Sequence, residues 1–140
     1  MRFVDTNILL YRVSTDPVET EKQAIAEALL GQGDLALSAQ VLQEFYVQAT
    51  RASQADALTH DEATAFIRSW KRFPVQAISL DLVEAALAAK DRWQLSYWDA
   101  AILEAVRAMK CDIVLSEDLN DGQNYDGVVV MNPFTVESPL

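Results

Sequence analysis

Asp5, Glu44, Asp99 and Asp118 stand where apolar segments end or helices begin. Asp5 follows Arg2-Phe3-Val4, Glu44 lies early in a helical stretch, Asp99 opens another, and Asp118 follows Asp112-Ile113-Val114-Leu115. Carboxylates gathered by a fold repel one another, and a hard divalent cation with oxygen ligands relieves that repulsion. Each acid also has a structural alternative. Asp99 comes three residues after Ser96, the spacing of a capping box, and Asp118 and Asp121 share that spacing. Glu44 borders the Val41, Phe45, Ala49 stripe and could be a solvated edge residue. Asp5 is different, because a carboxylate closing a buried strand needs a partner and no obligatory one is visible.

Other chemistries are poorly supplied. The only histidine, His60, sits between Thr59 and Asp61 at a helix start, and the only cysteine, Cys111, adjoins an apolar run. A Ser-His-Asp triad, a His/Cys zinc site or a paired-histidine ribonuclease mechanism would each need more. Cys111 reads as a small buried hydrophobe.

The elements that must position the acids alternate along the chain. Short apolar or β-branched runs occur at Arg2 to Val4, Leu35 to Leu37, Val75 to Ile78, Ile113 to Leu115 and Val128 to Met131. Stretches of helical period lie between them. The first follows the Asp16-Pro17-Val18-Glu19 start signal and ends at Gly31; others run from Ser38 to Ala52, Thr59 to Phe73, Asp81 to Trp93 and Ser96 to Met109. Strands alternating with helices point to a mostly parallel, five-stranded sheet covered on both faces. Ligands of such sheets bind beyond the carboxyl ends of the strands, which is where Asp5 and Asp118 fall. Gly31-Gln32-Gly33-Asp34 and Asp121-Gly122-Gln123-Asn124 read as turns.

A length of 140 residues, half of them apolar, suits one domain over residues 1–140. No apolar run approaches the roughly 18 to 20 residues of a membrane span, and Met1-Arg2-Phe3-Val4-Asp5 lacks the apolar stretch of a signal peptide. A cytoplasmic protein is expected. The 21 acids against 11 bases give a net charge of −10, which repels phosphate at long range. The imbalance is local: residues 111–140 hold Asp112, Glu117, Asp118, Asp121, Asp126 and Glu137 and no Lys or Arg. Cations bound there would reverse the local sign, so net charge leaves a nucleic-acid substrate open.

Four segments together resemble the blocks of the PIN-domain nucleases, in particular the VapC-type toxins of type II toxin–antitoxin pairs. They are Val4-Asp5-Thr6-Asn7-Ile8-Leu9-Leu10, Leu37-Ser38-Ala39-Gln40-Val41-Leu42-Gln43-Glu44-Phe45, Leu95-Ser96-Tyr97-Trp98-Asp99-Ala100-Ala101-Ile102 and Ile113-Val114-Leu115-Ser116-Glu117-Asp118. The resemblance implies an α/β/α sandwich around a parallel sheet, a Mg²⁺- or Mn²⁺-dependent endoribonuclease, a homodimer, and a small cognate antitoxin. It places the family's acids on Asp5, Glu44, Asp99 and Asp118, with Asp5, Asp99 and Asp118 as metal ligands and Glu44 as a ligand or as a base through water. Asn7, Ser38 and Ser116 match the polar positions that orient them. Relatives often carry Thr-x-Asp where this chain has Ser116-Glu117-Asp118, so the acid that supplements Asp118 is open between Glu117 and Asp121; Asp121 ranks first because Glu117 alternates to the other side of an extended segment. Arg68, Lys71 and Arg72 could track an RNA backbone, with a solvated basic face as the alternative. Tyr11, Tyr46, Tyr97 and Trp98 could stack on bases or serve as core and dimer contacts.

Two rivals fit less well. A receiver-like phosphoacceptor domain would want paired acids after the first strand, an aspartate after the third and a lysine after the last, whereas this chain has Asp5-Thr6-Asn7, Ser79 and no lysine near Asn132. A catalytically silent PIN-like binding module would be expected to have lost one of the four acids.

Overall fold

The computed structural model describes residues 1–135. Along it run β1 (Arg2–Val4), α1 (Thr6–Val13), α2 (Thr20–Leu30), β2 (Leu35–Ser38), α3 (Ala39–Ala49), α4 (His60–Trp70), β3 (Val75–Gln76), α5 (Leu80–Trp93), α6 (Tyr97–Ala108), β4 (Ile113–Leu115), β5 (Asn124–Tyr125) and β6 (Val128–Met131), with a 3₁₀ turn at Pro17–Glu19. The strands form one sheet in the order β3-β2-β1-β4-β6-β5. All neighbours are parallel except β5 and β6.

Phe3, Val4, Leu35, Ala36, Leu37, Val114 and Leu115 have no exposed surface, as strands covered on both faces require. The chain steps from β1 to β2 to β3 in one direction and then returns past β1 to β4. Right-handed crossovers therefore put α1 to α4 over one face and α5 and α6 over the other. The packing agrees: α1 lies against α2 and α3, α3 against α4, and α5 against α6. Helix starts are fixed by hydroxyl caps. Ser38, Thr59, Ser79 and Ser96 each accept a backbone N–H from three residues on, and Thr59 and Glu62 complete a reciprocal capping box.

The sheet has six strands, not the five expected. The extra one, β5, pairs antiparallel with β6 through Asp126 and Gly127, whose φ values of 55° and 98° make the tight turn that joins twisted strands. The β3 run is also shorter than Val75 to Ile78. An unforeseen helix, α1, begins directly after Asp5 with no loop between strand and helix. Asp5 is its N-cap, accepting Thr6 N–H at 2.7 Å, and Ile8 and Leu9 bury its inner face. Glu137 lies outside the described residues. No described helix is long and apolar enough to cross a membrane.

Candidate active site

β1 is the strand at which the chain's direction of travel reverses, and a crevice forms beyond the carboxyl ends of β2, β1 and β4. Asp5 leaves β1 there with its N–H still bonded to Leu115 O at 3.0 Å, which holds it alongside Ser116. A cavity of about 80 Å³ at this edge is lined by all four acids, Asp5, Glu44, Asp99 and Asp118, together with Thr6, Asn7, Gln48 and Trp98. Residues separated by as many as 113 positions of sequence, Asp5 to Asp118, thus meet in one place.

Asp5 is the innermost of the four, 6% exposed. Its Oδ2 accepts the Ser116 hydroxyl at 2.7 Å and the Asn7 amide at 3.3 Å. Burial is the main influence on its carboxyl and raises the pKa from 3.8 to about 6; the bonds from Ser116 and Thr6 oppose the rise, and the charges of Asp118 and Glu44 add to it. Asp99, on the first turn of α6, is also raised, by burial first and then by Asp118 and Glu44, with Ser96 pulling the other way. Asp118 is exposed, and its Oδ2 accepts the same Asn7 amide at 3.2 Å. Asn7 therefore puts N–H dipoles between two carboxylates.

Ser116 is the hub of the site. Fully buried, its oxygen accepts the N–H groups of Asp118 at 3.1 Å and Leu119 at 3.3 Å while its hydroxyl serves Asp5. Ser38 does not line the cavity; it caps α3 through Val41 N–H at 3.2 Å and so aims the helix that carries Glu44. Glu44 is gripped by two residues not anticipated from sequence. Thr6 donates to its Oε1 at 2.8 Å, and Gln40 to its Oε2 at 2.9 Å. Gln40 also reaches Trp98 O at 3.2 Å, tying α3 to the first turn of α6. The spacing of Gln40 and Glu44, one helical turn apart, was the available signal.

Neither candidate for supplementing Asp118 reaches the cavity. Asp121, ranked first, instead accepts Asn132 N–H at 2.9 Å and braces the turn before β5. Glu117 points away to Tyr11 and Lys22. Burial opposes its charge, but the bonds from Lys22 and Tyr11 outweigh that and hold the carboxyl below its ordinary range. Arg68, Lys71 and Arg72 also lie elsewhere, at the end of α4, where Arg72 binds Leu30 O and covers the Phe73 ring. His60 pairs with the Tyr46 hydroxyl at 2.8 Å, and Cys111 is buried.

A family model for the PIN domain matches residues 2–121. The chain belongs to the PIN-domain family. Several solved structures share the fold. A toxin–antitoxin complex from Klebsiella pneumoniae aligns at 20% identity and TM-score 0.72, over 97% of this chain and 100% of that one. VapC20 of Mycobacterium tuberculosis, a Sarcin-Ricin loop cleaving toxin, aligns at 23% identity and 0.63, over 84% and 92%. VapBC2 of Rickettsia felis, bound to a DNA fragment from its promoter, aligns at 14% identity and 0.63, over 94% and 97%. No curated protein matches the chain in sequence.

The donor set of this PIN domain suits a hard divalent cation: anionic oxygens, with the charges of Asp118 and Glu44 adding to the raised pKa of both Asp5 and Asp99, around a small polar cavity roomy enough for water. Among the described residues no three Asp, Glu, His or Cys side chains are grouped tightly enough to enclose an ion by themselves.

The raised Asp5 pKa makes a stability prediction for the metal-free protein. Between pH about 4 and 6 the folded chain keeps a proton on Asp5 that the unfolded chain has released, so stability falls as pH rises through that window and levels off above about 6. The gap between 3.8 and about 6 sets an upper bound of about 3 kcal/mol. Urea unfolding in EDTA from pH 4 to 8 checks it. Asp5→Asn removes this part of the slope; wild type and variant with parallel profiles would contradict it.

Proposed function

We propose that this PIN domain is a divalent-metal-dependent endoribonuclease, the VapC-like toxin of a toxin–antitoxin pair. The observation that carries the reading is the convergence of Asp5, Glu44, Asp99 and Asp118 on one cavity at the switch point of the sheet. Family membership and the RNA-cleaving activity of VapC20 support it. Asp5, Asp99 and Asp118 would hold Mg²⁺ or Mn²⁺. When bound, the cation supplies a more acidic water and neutralises charge on the phosphoryl oxygens.

The chain's own residues do the rest. Thr6 and Gln40 occupy both oxygens of Glu44 and hold it at the cavity wall as a further ligand or as the base that takes a proton from the attacking water. Ser116 and Asn7 keep Asp5 oriented and partly compensate its charge. In-line attack by water on the phosphodiester leaves a 5′ phosphate and a 3′ hydroxyl and does not use the 2′ hydroxyl as nucleophile. Gln40→Ala frees one oxygen of Glu44 and one end of the α3–α6 tie. It is expected to lower cleavage between about 10- and 100-fold and to cost about 1 kcal/mol in urea unfolding.

The same reading makes residues 1–140 one domain that dimerises, acts in the cytoplasm and is inhibited by a small antitoxin whose basic residues meet the acidic site. Complexes of this fold with antitoxins, such as the Klebsiella one, support the partner. The test is cleavage of a panel of 5′-labelled RNAs by purified protein with Mg²⁺, Mn²⁺ or EDTA. Cuts that need the metal and leave 5′ phosphates are expected. Cuts that persist in EDTA, or end in 2′,3′-cyclic phosphate, would overturn the proposed chemistry.

A further inference from the structure

Two clefts open from the carboxylate cavity, and their characters differ. On one side a cleft of about 340 Å³ is walled by Asp16, Glu19, Asp56, Glu117 and Asp118 with no lysine or arginine in its lining. On the other a cleft of about 460 Å³ is walled by Trp98, Val47, Arg51 and glutamines, with Glu44 at the shared border as its only acid. Trp98 lines both this cleft and the cavity itself. Trp98 is 64% exposed, an unusual state for so large an apolar residue, and Val47 beside it is 58% exposed. Tyr97 braces the indole edge-on with centroids 5.1 Å apart, and Gln40 holds the Trp98 carbonyl.

We infer that the Trp98 cleft seats an unpaired nucleobase of the RNA next to the scissile phosphate, with the indole as its stacking platform. The inference rests on the ribonuclease reading and adds the side from which the strand enters. Charge decides the side, because a polyanion is repelled by Asp16, Glu19, Asp56 and Asp118 in one cleft, where Lys22 offsets only Glu117, and meets Arg51 in the other, and among the described residues Arg51 has no ion pair. Chemistry decides the occupant. A flat exposed indole beside Gln43 and Gln48 amides offers a stacking face and hydrogen bonds to base edges, which is how unpaired RNA is held. Of the four aromatic residues singled out for stacking, Trp98 alone is exposed; Tyr11 and Tyr46 spend their hydroxyls on Glu117 and His60.

The test uses the full chain and a labelled single-stranded RNA of mixed sequence, with Ca²⁺ so that binding is read apart from cutting. Trp98→Ala is expected to weaken binding between about 5- and 150-fold, and Trp98→Phe to keep most of it. RNA should also quench the indole fluorescence of the wild type, and the quench should vanish in Trp98→Phe, which retains Trp70 and Trp93. Unchanged RNA affinity and cleavage in Trp98→Ala would overturn the stacking role while leaving the nuclease intact. Loss of binding accompanied by a change of mass in solution would assign Trp98 to a contact between copies and overturn it as well. A wild type that neither binds nor cuts any RNA would overturn both readings together.

Discussion

Asp5→Asn is expected to lower RNA cleavage by about 1,000-fold, near the upper end of what the loss of one charge-stabilising group costs, and to leave the protein folded. Asp5 is the most buried of the four acids, and no other carboxylate stands at the end of β1 to replace it. Asparagine keeps an oxygen that can still accept Thr6 N–H, so the cap of α1 survives. It loses the negative charge and presents an N–H₂ to a pocket already furnished with the Ser116 hydroxyl and the Asn7 amide as donors. Activity and stability should therefore separate. Above pH about 6 the metal-free variant is spared the cost of a buried ionised carboxylate, and its urea midpoint should equal or exceed that of the wild type. Cleavage within tenfold of wild type would show that the chemistry lies elsewhere.

Ser116→Ala should be the most damaging single-oxygen deletion in the site, costing about 2–4 kcal/mol of stability. The residue is fully buried, and its truncation leaves the N–H groups of Asp118 and Leu119 without the Ser116 acceptor and takes from Asp5 Oδ2 its shorter bond, so that only the Asn7 amide at 3.3 Å still serves that oxygen. Because the Ser116 bond is the largest influence opposing burial at Asp5, its removal should raise that pKa further. Cleavage at pH 6 should suffer more than cleavage at pH 8, where Asp5 still ionises. Ser116→Thr keeps the hydroxyl and should restore the pH profile even where the added methyl costs stability in a packed setting. Equilibrium unfolding and a pH–rate profile measure the two effects; equal loss of activity in the alanine and threonine variants would contradict the hydrogen-bonding role.

The acids could be located from sequence because strand ends are legible: an apolar run of three or four residues followed at once by Asp5, or after two intervening residues by Asp118, places both at one sheet edge once the strands are parallel. The partners that hold them were much less legible. Thr6 bonds Glu44 across 38 residues and Ser116 bonds Asp5 across 111, distances at which no local spacing rule operates. The preference for Asp121 over Glu117 rested on strand alternation, but the chain turns after Leu115, so alternation no longer governs either residue. α1 was missed because Thr6–Val13 is short and apolar, with no loop to separate it from β1, although Asp5 in the N-cap position was a usable sign. The sixth strand was hidden in the same way: β5 is two residues long, and its sign was the Asp126-Gly127 pair rather than any apolar run.

Calorimetric titration of Mn²⁺ into the 140-residue chain tests the central claim, that these carboxylates form a cation site, without reference to any RNA. Saturable binding is expected, with proton release near pH 6 that disappears by pH 8, because the cation must displace the proton held by Asp5. Asp5→Asn should sharply reduce the proton release, leaving only what Asp99 gives up, and the Asp5→Asn, Asp118→Asn double variant should lose at least about tenfold in affinity. Undiminished binding by the double variant, or no saturable binding by the wild type, would contradict the account.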